Sequence, residues 1–210
     1  FIGAITLNFV ERHRKICYNK INTTERWHMQ VILASRSPRR RELLKDLFED
    51  FEVIPCDVEE KTSLKRGHAI CQYLAKIKLG DLPTRRPDAL IISADTVVYM
   101  DGRVYGKPQD ERQAKKFLDE LSGKRHSVYT GVAIYWQGDI NVFYDKSYVT
   151  FKTLSERDKL DYIATLSPMD KAGGYGIQDS AVVKSYDGSY SNIVGLPMEK
   201  LKAQLAKILK

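Results

Sequence analysis

From Gln30 onward the apolar positions follow two alternating periods, one suited to strands and one to helices. The run Val31-Ile32-Leu33-Ala34 makes residues 30–34 a buried strand. Beyond Pro38, Leu43, Leu44, Leu47 and Phe48 share one helical face, and a second strand is expected near residues 51–55. Ile70, Leu74 and Ile77 form the stripe of a second helix. Residues 89–92 are continuously apolar, and the run passes through Ser93-Ala94-Asp95-Thr96 into Val97-Val98 before a hairpin signal at Asp101-Gly102. A third helix opens at Asp110, with Gln113 completing a capping box, and closes at Gly123; its inner face is Ala114, Phe117, Leu118 and Leu121. Two long strands, residues 128–136 and 140–151, join at Gly138-Asp139. Ser155 and Asp158 open a fourth helix that Pro168 stops. A glycine-rich loop, a short hairpin turning at Asp187-Gly188 and a final helix from Pro197, with Leu201, Leu205 and Ile208 inward, complete the pattern. Helices between strands, together with hairpins, predict an α/β fold: a mixed twisted sheet with flanking helices.

Composition narrows the class. A chain of 210 residues with 43% hydrophobic and 29% charged side chains fits one folded domain with a true core. No stretch approaches the roughly 20 apolar residues of a membrane-spanning helix, so no membrane partner is expected. Cys17, Cys56 and Cys71 are scattered and odd in number, which argues against a disulfide framework or a zinc site and for a reducing, cytoplasmic setting.

The first 28 residues carry no sustained period, and Met29 directly precedes the first apolar run. Met29 reads as an initiator methionine, residues 1–28 as an extension outside the fold, and residues 29–210 as the domain. Arg12, Arg14 and Lys15 have the character of a presequence, but Glu11 and Glu25 oppose it. Of the net charge of +7, +3 falls on residues 1–28, which leaves a modest +4 for the rest. Nucleic acid is not expected as a partner: Arg39 to Arg41 and Lys124-Arg125 lack the interleaved aromatics that stack bases. Cations gathered around a small phosphate-bearing molecule explain the charge equally well.

Four segments carry chemistry. In Ser35-Arg36-Ser37-Pro38-Arg39-Arg40-Arg41, Ser37 and Pro38 suit a helix start. Three arginines then occupy a first turn where the macrodipole disfavours cations, a placement that makes sense if a polyanion binds there; a solvated basic helix start is the plain alternative. This is not a Walker loop, because the glycines and the Gly-Lys-Ser/Thr ending are missing. Asp95 lies between Ile91-Ile92 and Val97-Val98, where an ionised carboxylate calls for a metal, a cation or a proton-transfer task, unless it is a hydrogen-bonded residue at a bend. Lys107, between Gly106 and Pro108, has a defined direction toward a phosphate. Lys78 continues the second helix's stripe as a cation near an apolar face, or as a snorkelling one. His126 reads as a strand-start histidine with one structural hydrogen bond. Residues 168–178 supply three glycines with Lys171, Tyr175 and Gln178, a loop whose backbone can approach a ligand closely.

Together these segments resemble the Maf family, in family order from residue 30 to residue 198: Leu33-Ala34-Ser35-Arg36-Ser37-Pro38-Arg39-Arg40, Ser93-Ala94-Asp95-Thr96-Val97-Val98, Gly106-Lys107-Pro108, Leu121-Ser122-Gly123 with His126 and Thr130-Gly131, and Asp170 to Gln178. The resemblance implies two lobes around a central cleft, a fold related to the inosine triphosphatase superfamily, and hydrolysis of nucleoside triphosphates between the α and β phosphates. Thr96 and the Gly176-Ile177-Gln178 triplet resemble the branch acting on dTTP and UTP. By position, Asp95 is implied as general base or metal partner. Arg39, Thr96 and Gln178 are implied as base-reading, and Ser35, Arg40, Lys78, Lys107 and Lys171 as phosphate ligands. Glu60 matches the acidic position associated with the metal, although Glu59 stands where Asp is expected and Lys61 where a small polar residue is. Leu79 replaces an expected alanine, a change for packing alone.

A triphosphate brings about four negative charges, so cationic side chains and Mg²⁺ or Mn²⁺, held by Asp95 and Glu60, are the expected means of binding it and stabilising the leaving pyrophosphate. The expected partners are a nucleoside triphosphate and, at most, a second copy of the chain in a homodimer. The rival from another class is a nucleotide-sensing regulator of cell division with little turnover.

Overall fold

A computed structural model describes residues 29–165 and 167–209. The expected extension, residues 1–28, lies outside the described residues. Seven strands form one mixed sheet in the order β2-β1-β3-β5-β6-β7, with β4 beside β3. They are β1 Val31–Leu33, β2 Glu52–Val53, β3 Leu90–Met100, β4 Arg103–Tyr105, β5 Arg125–Trp136, β6 Asp139–Phe151 and β7 Val183–Asp187. β2, β1 and β3 run parallel, and the remaining pairings are antiparallel, which is the mixed sheet expected from the pattern. The helices are α1 Pro38–Leu44, α2 Gly67–Ile77, α3 Leu82–Arg85, α4 Glu111–Leu121, α5 Glu156–Ala164, α6 Tyr190–Val194 and α7 Met198–Ile208. None of the described helices is long and apolar enough to cross a membrane.

Local chemistry sets the boundaries. Asp110 accepts a hydrogen bond from Gln113 N at 2.7 Å to start α4, and Ser155 and Asp158 form a reciprocal capping box on α5. The β3–β4 turn places Asp101 and Gly102 at positive φ, and the β5–β6 turn places Gln137 and Gly138 there, the conformation that lets two-residue turns follow the sheet's twist. The hairpin expected at Asp187-Gly188 does not form. Gly188, at φ 100°, lies against Ser147 and leads into Ser189, whose hydroxyl caps α6 through Asn192 N at 3.1 Å. The turn signal is real, but a helix follows it instead of a returning strand.

Strand alternation divides the core by face. Leu90, Ile92 and Ala94 point toward α1 and α7, and farther along the same face Val98 and Met100 meet α4 and α5. Ile91 and Val97 lie on the opposite face, which α2 covers. α2 approaches β5 closely because of Gly131: a Cβ built there would stand 2.3 Å from the Cys71 carbonyl group. Leu79, just beyond α2, is 2% exposed among Ile32, Ala75 and Leu82, as a packing change requires.

Candidate active site

β1 sits between β2 and β3, the point where the parallel part of the sheet sends chain to both sides. A crevice outside the carboxyl ends of strands at such a point is where open α/β sheets bind ligands. β1 ends at Leu33, paired with Ile92, and β3 runs on past it. β4 joins β3 only from Val98, so the middle of β3 has an open edge on that side. A cleft of about 990 Å³ occupies this place, lined by the loop after β1, the middle of β3, Lys107 and the glycine loop. All ten residues singled out from the sequence line it: Ser35, Arg39, Arg40, Glu60, Lys78, Asp95, Thr96, Lys107, Lys171 and Gln178.

Asp95 and Thr96 are neighbours on a strand and so point to opposite faces of the sheet. Asp95, 8% exposed, faces α2, where Lys78 at the helix C-cap places Nζ 2.5 Å from Asp95 Oδ1 and 3.0 Å from Glu60 Oε2. Lys78 is thus an ion-paired cation, and the two carboxylates converge on one cation position. The departures at residues 59 and 61 leave this unchanged: Glu59 and Lys61 pair with each other at 2.5 Å in solvent.

Thr96 faces Arg40. The Arg40 guanidinium donates to Gly195 O at 2.7 Å, Ser35 Oγ at 3.2 Å and Thr96 Oγ1 at 3.1 Å. A guanidinium has five N–H groups, so one on each terminal nitrogen is left for an anion. Burial pushes the Arg40 pKa down and Asp95 pulls it back up, while the guanidinium keeps its charge. Ser35 accepts from Ser37 N and from Arg40, so its own proton is free to meet a ligand. α1 spans only seven residues, and the positive charge at its start comes from the side chains of Arg39, Arg40 and Arg41.

Across the cleft Arg39 donates to Asp170 Oδ2 at 2.9 Å and to its carbonyl at 3.2 Å, while Lys171 holds Oδ1 at 2.8 Å. Burial raises the Asp170 pKa, but Lys171 and Arg39 outweigh it and the net shift is downward. Gly173 N donates to Gly106 O at 2.9 Å and ties the segment bearing Lys107 to the glycine loop. Gly176 N donates to Asp179 Oδ2 at 2.8 Å, and that same oxygen accepts from Tyr162 at 2.5 Å, which fixes the loop. The Gln178 amide folds over Gly176, where a built Cβ would lie 2.8 Å from Nε2. His126 makes a structural bond to Tyr175 Oη at 2.8 Å beneath this loop, 2% exposed and outside the cleft lining.

Sequence reading missed Asp170 as the partner of Arg39 and Lys171, and Gly195 as the anchor of Arg40. Gly195 adopts φ 126°, and a Cβ there would lie 3.3 Å from Thr96 Oγ1. The only sequence signal was a glycine preceding Leu196-Pro197.

Two carboxylates converging on one cation position are hard oxygen donors that suit Mg²⁺ or Mn²⁺ when phosphate oxygens complete the shell. Among the described residues no group of three His, Cys, Asp or Glu gathers in one place.

A mixed sheet with flanking helices and a cation-rich crevice at its switch point places this chain among the ligand-cleft proteins of the α/β class. The family model for Maf-like protein matches residues 30–208, and the chain belongs to that family. It is 45% identical over 175 residues to a dTTP/UTP pyrophosphatase of Thermosipho africanus (strain TCF52B), covering 82% of this chain and 90% of that one. It is 41% identical over 169 residues to a dTTP/UTP pyrophosphatase of Leptospira borgpetersenii serovar Hardjo-bovis (strain JB197), covering 80% and 90%. With a dTTP/UTP pyrophosphatase of Bacillus cereus (strain ZK / E33L) it shares 42% over 179 residues, covering 84% and 94%. Among solved structures, the Staphylococcus aureus Ham1 protein matches with a TM-score of 0.52 and 16% identity over 85% of this chain and 99% of that one, a likeness of fold.

Proposed function

We propose that this protein is a nucleoside triphosphate pyrophosphatase that hydrolyses dTTP and UTP to the monophosphate and pyrophosphate. The observation that carries the reading is the cleft itself. Six cations, Arg36, Arg39, Arg40, Lys78, Lys107 and Lys171, line it with three carboxylates, Glu60, Asp95 and Asp170, a net positive site around a buried Asp95. The names of the relatives support the substrate.

Arg40 and the Ser35 hydroxyl hold phosphate oxygens, and Lys107 and Lys171 approach from the opposite wall. Water attacks the α phosphorus; an O–P bond forms, the bond from the α phosphorus to the bridging oxygen breaks, and pyrophosphate leaves with the electron pair. Asp95 accepts the proton of that water. The guanidinium and ammonium groups offset the charge on the departing pyrophosphate. Asp95 and Glu60 would hold the divalent ion, which supplies neutralisation of phosphate charge and a more acidic water.

Gln178 reads the base: its amide donates to one pyrimidine carbonyl and accepts from the ring N–H. The aliphatic lining of Val98, Val128, Ile177, Ile193 and Val194 receives the ring. Product identity tests the reading. UTP is expected to yield UMP and pyrophosphate; UDP and orthophosphate would refute cleavage between the α and β phosphates.

A further inference from the structure

We propose that Thr130 is the positioning residue for the Arg40 guanidinium, and that Thr96 serves the same chain instead of reading the base. The proposal rests on Arg40 being a phosphate ligand, and counting hydroxyl protons carries it. Thr130 Oγ1 donates its single proton to Asn192 O at 2.7 Å. Thr96 Oγ1 lies 2.9 Å from Thr130 Oγ1, and Thr130 has no second proton to give, so Thr96 is the donor in that pair. Thr96 then has only lone pairs left, and Arg40 Nη2 donates to one of them at 3.1 Å. The order is therefore directional: Arg40 to Thr96, Thr96 to Thr130, Thr130 to the carbonyl of Asn192. With its proton spent on Thr130, Thr96 cannot donate to a pyrimidine carbonyl.

The chain closes on itself through α6. Asn192 is fully buried and fixed by donating from Nδ2 to Val128 O at 3.2 Å and to Ser147 Oγ at 2.9 Å. Three residues later Gly195 O accepts from Arg40 Nε at 2.7 Å. Both ends of the guanidinium are thus referred to one short helix, and Thr130, itself 0% exposed, links that helix to β3. Arg40 lines the cleft and is held on the protein side by three donated bonds, which leave one N–H on each terminal nitrogen for a ligand. A fork pre-oriented this way loses little freedom when it grips a phosphate.

The test uses Thr130→Val, which keeps the shape and removes the hydroxyl, Thr130→Ser, which restores it, and Thr96→Val as an independent break in a less buried place. Affinity for inorganic pyrophosphate by calorimetry, and kcat/KM for UTP and GTP, are measured for each. Both valine variants are expected to lose pyrophosphate affinity and kcat/KM by roughly tenfold or more, equally for the two nucleotides, with Thr130→Ser near the parent. In an Arg40→Lys background, which lacks the fork, the loss from either valine substitution should shrink to less than about twofold. Parental affinity in a folded Thr130→Val or Thr96→Val protein overturns the proposal. So does an equal loss in both backgrounds, which marks a merely structural role. A changed UTP-to-GTP ratio at unchanged pyrophosphate affinity would return Thr96 to the base. Pyrophosphate binding judges the positioning chain even if the parent fails to turn over UTP, an outcome that would sink the catalytic reading separately; a parent that binds no pyrophosphate overturns both.

Discussion

Lys78 Nζ and Asp95 Oδ1 stand 2.5 Å apart, although the residues belong to the end of a helix and the middle of a strand. Asp95 is 11% exposed at its side chain and Lys78 17%, so water screens the pair weakly. Asp95→Asn keeps the shape and removes the proton acceptor. Turnover is expected to fall by at least about 100-fold with the fold intact, as judged by circular dichroism and steady-state kinetics. Near-parental turnover by the folded variant would take Asp95 out of its role.

What brings Lys78 to Asp95 is the absence of a side chain at Gly131, which pairs with Asp95 in the β3–β5 register. Gly131→Ala would drive a methyl into the backbone of α2 at Cys71, and a helix backbone cannot step aside as a flexible side chain can. A loss of about 3 kcal/mol in urea unfolding is expected, together with a fall in activity as Lys78 moves. A change under about 0.5 kcal/mol, the scale of an ordinary surface substitution, would show that α2 is free to shift.

His126 supplies a pH dependence. Burial against Phe151 and Tyr175 pushes its pKa from 6.5 down to about 4. The unfolded chain therefore takes up a proton near pH 6.5 that the folded protein refuses. The stability from neutral His126 is complete above pH 6.5 and is lost as pH falls from 6.5 through 4, by about 3 kcal/mol. His126→Gln should flatten the unfolding free energy across that window relative to the parent. Parallel pH curves would show that His126 is protonated as readily folded as unfolded.

Much of this architecture was legible along the chain. Caps and two-residue turns are local chemistry, so the starts of α4 and α5 and the Asp101-Gly102 turn could be read directly; the β5–β6 turn, expected at Gly138-Asp139, forms one residue earlier at Gln137-Gly138, with Asp139 already in β6. Asp187-Gly188 has the composition of a hairpin turn, while the signal for the helix that follows it is Ser189, an N-cap whose hydroxyl accepts from Asn192 N. The residues of the cleft were legible as motifs, while their pairings were not. Lys78 with Asp95 and Arg39 with Asp170 are tertiary contacts across 17 and 131 residues. Strand alternation alone separates Asp95 from Thr96, and applying it there would have separated their roles.

Gln178 and Gly176 give a prediction about specificity. With the amide lying over a glycine, Gln178→Ala should lower the UTP-to-GTP ratio of kcat/KM by roughly tenfold, because the base loses a paired donor and acceptor. Affinity for pyrophosphate should hold, since the cations remain. An unchanged ratio would assign the base preference to the aliphatic lining.

Pyrophosphate release from a pyrimidine triphosphate in this cleft is tested most directly by kcat/KM for UTP, dTTP, ATP and GTP with pyrophosphate as the product followed. With Mg²⁺ or Mn²⁺ present, UTP and dTTP should exceed ATP and GTP by at least about tenfold, and a chelator should abolish release until the metal is restored. A purine preference, or tight nucleotide binding with no pyrophosphate formed, would contradict the account.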